Sequence, residues 1–147
     1  MRTAKFFVLA VLVVVLVATP FALAGAKKGN LHANGGGPGK VPQGFVKLKY
    51  DKDGAVHLFE VQIRKVPAEI YDVFVWEGET EPVDLEPIGT IDIAEDQGAG
   101  KFKFNARRGK DWPLADLDPA GAHVEVRDSL GVAILEGTVP DPNDKKK

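Results

Sequence analysis

Phe45-Val-Lys-Leu-Lys-Tyr-Asp-Lys-Asp-Gly-Ala-Val-His-Leu-Phe-Glu-Val-Gln-Ile-Arg-Lys65 is the stretch that decides the fold class. Val46, Leu48 and Tyr50 alternate with lysines, so one face is apolar and the other charged. That is the period of a strand with one side buried. Asp51-Lys-Asp-Gly54 reads as a hairpin turn, with glycine where a positive φ is needed. On the return, Phe59, Val61 and Ile63 line one face and Glu60, Gln62 and Arg64 the other. Val56 and Leu58 fall on the opposite parity, which predicts a bulge or a change of cover near His57.

The same period recurs outward from this hairpin. Val66-Pro67-Ala-Glu69 is a turn. Tyr71-Asp-Val-Phe-Val-Trp76 is apolar on both faces at Phe74 and Val75, as a central strand would be. Glu77-Gly-Glu-Thr-Glu-Pro82 is an acidic loop. Ile88-Gly-Thr-Ile-Asp-Ile93 points Ile91 and Ile93 inward, Asp96-Gln-Gly-Ala-Gly100 turns, and Lys101-Phe-Lys-Phe104 returns with both phenylalanines inward. A long irregular segment, Asn105 to Gly121, precedes a closing hairpin. Its strands are His123-Val-Glu-Val-Arg127 and Val132-Ala-Ile-Leu-Glu136, around Asp128-Ser-Leu-Gly131. About seven strands at roughly 8–12-residue spacing predict an all-β, antiparallel sandwich or a small barrel. The expected core is Val46, Leu48, Phe59, Val61, Ile63, Tyr71, Val73, Val75, Ile91, Ile93, Phe102, Phe104, Val124, Val126 and Ile134, with Trp112 joining at one end.

Composition narrows the chemistry. The chain has 147 residues, no cysteine and a net charge of −2. Disulfides, thiolate chemistry and Cys-based zinc sites are excluded, and the charge argues against a broadly basic nucleic-acid binder. Residues 1–24 read as a secretory signal peptide. Arg2 and Lys5 precede an apolar run from Phe6 to Ala18, Pro20 breaks it, and Ala22-Leu23-Ala24 is a small-x-small cleavage pattern, with cleavage expected after Ala24. No Arg-Arg pair precedes the apolar run, which favours the Sec route. The alternative is an uncleaved anchor, since Phe6 to Ala26 is apolar or small throughout and roughly long enough to span a bilayer. Cleavage removes Arg2, Lys5 and no acid, leaving 17 basic and 21 acidic residues, net −4, and no methionine. Residues 25–44, with seven glycines in twenty, read as a flexible Gly-rich linker, and 139–147 as a disordered polar tail. The domain is thereby bounded at 45–138.

Three segments carry a resemblance: Ile70-Tyr71-Asp-Val-Phe-Val75, Ile88-Gly-Thr-Ile-Asp-Ile93 followed by Gly98-Ala-Gly-Lys-Phe-Lys-Phe104, and Val124-Glu-Val-Arg-Asp128 with the Gly131 hairpin. Over about residues 55–138 the chain resembles small extracytoplasmic β-sandwich modules of bacteria, of the kind seen in CHRD-like domains and in the outer region of anti-sigma-K factors. The resemblance implies an immunoglobulin-like sandwich outside the cytoplasm. It implies no reaction and carries over no functional residue. The cytoplasmic portion of an anti-sigma factor is not in this chain.

Few residues suggest chemistry. Asp51-x-Asp53-Gly54 resembles the opening of a calcium loop, but Ala55 and Gln62 stand where further oxygen ligands are needed, so a turn is expected. His32 falls in the linker, while His57 and His123 lie far apart in sequence. His123 and Glu125 share a strand face. That ligand count predicts ordinary surface histidines and no bound metal or cofactor. Ser129 is the one serine, set in a turn with no strand-to-helix step for a nucleophile elbow. Glu77, Glu79 and Glu81 read as a solvated acidic loop, and Gly35-Gly36-Gly37 precedes no phosphate-loop pattern. Arg107-Arg108-x-Lys110-Asp111-Trp112 is the candidate contact loop, since clustered bases beside an aromatic grip anionic polymers or sugars. The competing expectation is that Trp112 and Leu114 cap the open end of the sheet. The reading that follows is a secreted or envelope-associated, non-enzymatic binding or structural module. It would contact a protein or glycan of the envelope, no nucleic acid, and a membrane only if the leader is retained. The alternative is a small secreted metal-assisted hydrolase using His57 and His123.

Overall fold

The structure is a computed structural model and describes residues 25–34, 41–108 and 110–143. The expected leader with its expected cleavage site at Ala24, Gly35-Gly36-Gly37 and the terminal lysines lie outside the described residues. The chain is all-β, with eight strands: β1 (Lys27–Ala33), β2 (Gln43–Tyr50), β3 (Val56–Arg64), β4 (Ile70–Trp76), β5 (Gly89–Asp92), β6 (Ala99–Asn105), β7 (His123–Arg127) and β8 (Ala133–Thr138). They form one sheet in the order β5-β4-β7-β8-β1-β2-β3-β6, and every neighbouring pair is antiparallel.

The sheet rolls until its end strands face each other, giving a nearly closed barrel. A Cβ on Gly89 of β5 would stand 2.1 Å from the Phe102 ring of β6, and one on Gly100 would stand 2.7 Å from Ile91. Glycine is required at both positions by this close approach. The barrel is filled by apolar side chains. Val46, Leu48, Phe59, Val61, Ile63, Val73, Val124, Val126 and Leu135 are wholly buried, and no polar or charged residue is buried among the described residues.

The seven expected strands are present, and an eighth revises the domain bounds. Residues 27–33, expected in a linker, form β1, which pairs with β2 from Lys27 to Leu31 and with β8 at His32 and Ala33. β1 is the strand that joins the two halves of the sheet. Its inward residues are Gly29, Leu31 and Ala33, so a strand pattern hides behind small side chains. The neighbouring glycines make room for Leu31: a Cβ on Gly44 would lie 3.2 Å from its Cδ1, and one on Gly137 would lie 3.0 Å from its Cδ2. The expected tail is also packed at Val139 and Pro142, which are buried, while Asp141 and Asn143 are exposed. Val139 is wholly buried and exchanges backbone hydrogen bonds with Gly121 and Ala122, at 2.9 and 2.8 Å. Pro140 ends the ladder only after that residue is in place.

Two register details follow from bulges. Tyr50 pairs with Val56 while Lys49 pairs with Leu58, which leaves His57 as the extra residue where parity changed. A second shift, between Val126 and Arg127, puts Leu135 rather than Ile134 into the core. Phe102 is half-buried because it lies at the seam beside Gly89. The Asp51–Gly54 turn is a hairpin whose Asp51 carboxylate accepts the backbone N–H groups of Asp53 and Ala55, at 2.9 and 3.1 Å.

Candidate functional site

No polar or charged residue is buried among the described residues, and their ionisable groups stand at the ends and on the outer face. The long β6–β7 connection closes one end. Trp112 sits over Phe59 and Phe104, with ring centroids 5.2 and 5.3 Å apart, and its indole N–H donates to the Leu117 carbonyl at 3.1 Å. Tyr50 donates to the Asp118 carboxylate and ties this loop to β2. Burial, then the bond to Asp118, holds the Tyr50 phenol well above its ordinary value. The structure therefore divides the candidate contact loop. Trp112 is an anchor within the barrel end, whereas Arg107, on a 3-10 turn at Ala106–Arg108, and Lys110 are exposed. The Arg108 side chain lies outside the described residues.

The richest polar geometry is on the outer face of β4, β7 and β8. Strand alternation points Asp72, Phe74 and Trp76 of β4 outward, alongside His123, Glu125 and Arg127 of β7 and Glu136 of β8. Register sets Trp76 opposite His123, Phe74 opposite Glu125, and Asp72 opposite Arg127. The Trp76 and His123 rings pack together tilted at 46°, with centroids 4.3 Å apart, and the Arg127 guanidinium covers Phe74 at 4.4 Å. These two aromatic residues are buried although they face outward, which is why β4 is apolar on both sides. The buried Trp76 indole nitrogen has no hydrogen-bond partner among the described residues.

Arg127 organises the carboxylates. It bonds Glu125 Oε2 through Nε at 2.9 Å and Nη2 at 2.8 Å, and reaches Glu81 of the β4–β5 loop at 2.8 Å. The acidic loop is thus folded back onto the sheet at Glu81. Its bond to Arg127 lowers the Glu81 carboxyl below the ordinary range, and the same bond, with Glu125 adding to it, raises Arg127. The other Glu125 oxygen faces His123, whose Nε2 lies 3.3 Å from Oε1. Glu136 stands directly across from Glu125, and one ligand atom from each of His123, Glu125 and Glu136 falls within 4.8 Å of the others.

His57 does not join this group. It lies on β3, with β8, β1 and β2 between it and β7. That separation counts against the alternative of a hydrolase centre that uses His57 and His123 together. Instead His32, expected in a linker, is directly across from Glu136 in the β1–β8 ladder. Strand alternation in the sequence flags His123 with Glu125, but Glu136 and His32 come from cross-strand register, which a single strand does not encode. Ser129 sits in the β7–β8 turn, its backbone N–H donating to Glu69 at 2.8 Å. Compared with known families, with curated proteins and with solved structures, the chain matches no family model, no curated protein and no solved structure.

Proposed function

We propose that the chain is a non-enzymatic binding or structural module that works outside the cytoplasm. In this reading it is exported through its leader and cleaved after Ala24, and it contacts a protein or glycan of the cell envelope. The supporting observation is the interior: it is apolar, with no polar residue buried among the described residues, so it offers neither a ligand pocket with orienting groups nor a reaction centre. Binding is then an affair of the outer surface and the loops. Arg107 and Lys110 are the exposed bases of the contact loop, on a segment anchored by Trp112. Within this proposal the fold is kin to extracytoplasmic immunoglobulin-like modules of the CHRD-like or anti-sigma-K type. The two halves of the rolled sheet stand for the two layers, and β1 joins them.

The test is expression of the full chain in a bacterial host, followed by fractionation and native mass spectrometry of the envelope and medium. A mass beginning at Gly25, with a stoichiometric envelope partner that the Arg107→Glu/Lys110→Glu variant releases without losing its thermal midpoint, is the expected result. A chain that keeps residues 1–24 would be a membrane-anchored protein and overturns release by cleavage. A cytoplasmic location overturns the reading altogether.

A further inference from the structure

We infer that the outer face of β7, β8 and β1 is a binding site for a divalent transition-metal ion of the zinc type, held by His123, Glu125 and Glu136 with His32 as the neighbouring fourth donor. Four observations converge on it. The first is distance. Donor atoms of His123, Glu125 and Glu136 already lie within 4.8 Å of one another, and His123 Nε2 is 3.3 Å from Glu125 Oε1. Donors on a tetrahedral metal at about 2.0–2.2 Å stand roughly 3.3–3.6 Å apart, so the His123–Glu125 spacing already fits and a small side-chain movement brings Glu136 in.

The second is register. Glu125, Glu136 and His32 form one row across three adjacent strands, Glu125 opposite Glu136 and Glu136 opposite His32. Two carboxylates directly opposite each other on a sheet repel, and a shared cation reverses the sign of that pair. Of this opposed pair Arg127 bonds Glu125, through Oε2, while it also bonds Glu81, and it leaves Glu125 Oε1 toward His123. Among the described residues Glu136 receives the Asn34 amide, at a long 3.4 Å. With Asp72 opposite Arg127 in the ladder and Glu81 bonded to it, this face carries four carboxylates and one guanidinium, so the patch favours a cation.

The third is orientation of the ligands. The His123 ring packs at a tilt against Trp76, which is 4% exposed, and the Glu125 carboxylate is fixed by Arg127. Metal sites depend on this kind of outer support, since it sets ligand direction before the ion arrives. The fourth is donor type. Imidazole with carboxylate selects zinc, nickel or copper over calcium or magnesium, which take oxygen alone. No thiolate or thioether is present from residue 25 onward to draw Cu(I).

The inference goes beyond the binding-module reading and does not depend on it. The ion would be structural or would bridge to a partner's donor, since His32 lies on the strand that holds the sheet together. The Trp76 indole supplies the assay. The full chain, stripped with EDTA and carrying Trp112→Phe so that Trp76 alone reports, is titrated with Cu(II) by fluorescence and with zinc chloride by calorimetry. Expected are one equivalent bound and quenching of Trp76. Loss of about tenfold or more in affinity is expected for Glu136→Gln and for His123→Asn. His32→Asn weakens binding with the stoichiometry kept, and His57→Asn has no effect. The Cu(II) electron paramagnetic resonance spectrum should carry imidazole nitrogen coupling that His123→Asn diminishes, a readout independent of stability. Absence of saturable binding, binding unchanged in Glu136→Gln, or equal preference for calcium would overturn the assignment. Failure of the export experiment would leave this site standing.

Discussion

Replacing Leu31 by alanine separates a strand from a linker. Leu31 is 5% exposed, with its methyl groups against the backbone at Gly44 and Gly137. The substitution removes about three methylene equivalents, and at about 0.8 kcal/mol each the transfer cost is about 2.4 kcal/mol. A cavity term adds to this, because the walls are backbone in a hydrogen-bonded ladder and close in poorly. The total is about 3–4 kcal/mol, inside the range of about 2–5 for core Leu→Ala changes. For a domain of this size that lowers the thermal midpoint by about 10 °C or more. The assay is urea unfolding followed by tryptophan fluorescence, with Val83→Ala as control, since Val83 is 100% exposed and its loss should stay within about 0.5 kcal/mol. The urea midpoint should fall for Leu31→Ala with the slope unchanged. A change below about 0.5 kcal/mol for Leu31→Ala would refute β1 as an integral strand.

The two tyrosines give a pH test, because both phenols are raised in the folded chain, Tyr71 to about 12 by burial and then by the charges of Glu69 and Asp128, and Tyr50 further still. A raised folded value means that stability is fully present below the unfolded value of about 10 and is lost as pH rises through the folded value. Absorbance at 295 nm should show almost no tyrosinate in the native protein near pH 10.5 and a majority in guanidinium, and native titration near pH 10 would contradict this. At the seam, Gly89→Ala drives a methyl to within 2.1 Å of the Phe102 ring and should cost about 1–3 kcal/mol. The cost should shrink in a Phe102→Ala background, and additive losses in that cycle would mean that β5 and β6 do not meet.

How legible the fold was depended on how much each strand buries. β2, β3, β6 and β7 announce themselves because one face is apolar and the other charged over several residues. Phe74 and Trp76 show that β4 is covered twice. The cover itself, Arg127 on one ring and His123 on the other, comes from a strand some fifty residues away. β1 was illegible for a physical reason. Where two halves of a sheet pass closest, side chains must be small, and Gly29, Gly44 and Gly137 meet that need while imitating a flexible segment. The Ile134 and Leu135 exchange has a similar origin, since one bulge reverses the parity of everything after it.

The site was hidden by the same strand. Alternation along β7 pairs His123 with Glu125, and no further ligand is visible there, so two donors read as a surface histidine beside an acid. Glu136 enters only when the β7–β8 register is known, and His32 only when residues 27–33 are recognised as a strand against β8. Reading β1 as a linker therefore discards a core residue, Leu31, and a donor, His32, in one step. The two consequences can be checked against each other. His32 stands next to Leu31 and points to the opposite face, so a disturbance that pulls β1 from β8 should weaken both stability and metal affinity. His32→Asn, which leaves the inward face intact, should weaken affinity alone. A Leu31→Ala variant that loses stability while keeping full affinity would show that the ion is held by β7 and β8 without β1. The site would then be a three-donor site, with its remaining positions open to water or to a partner.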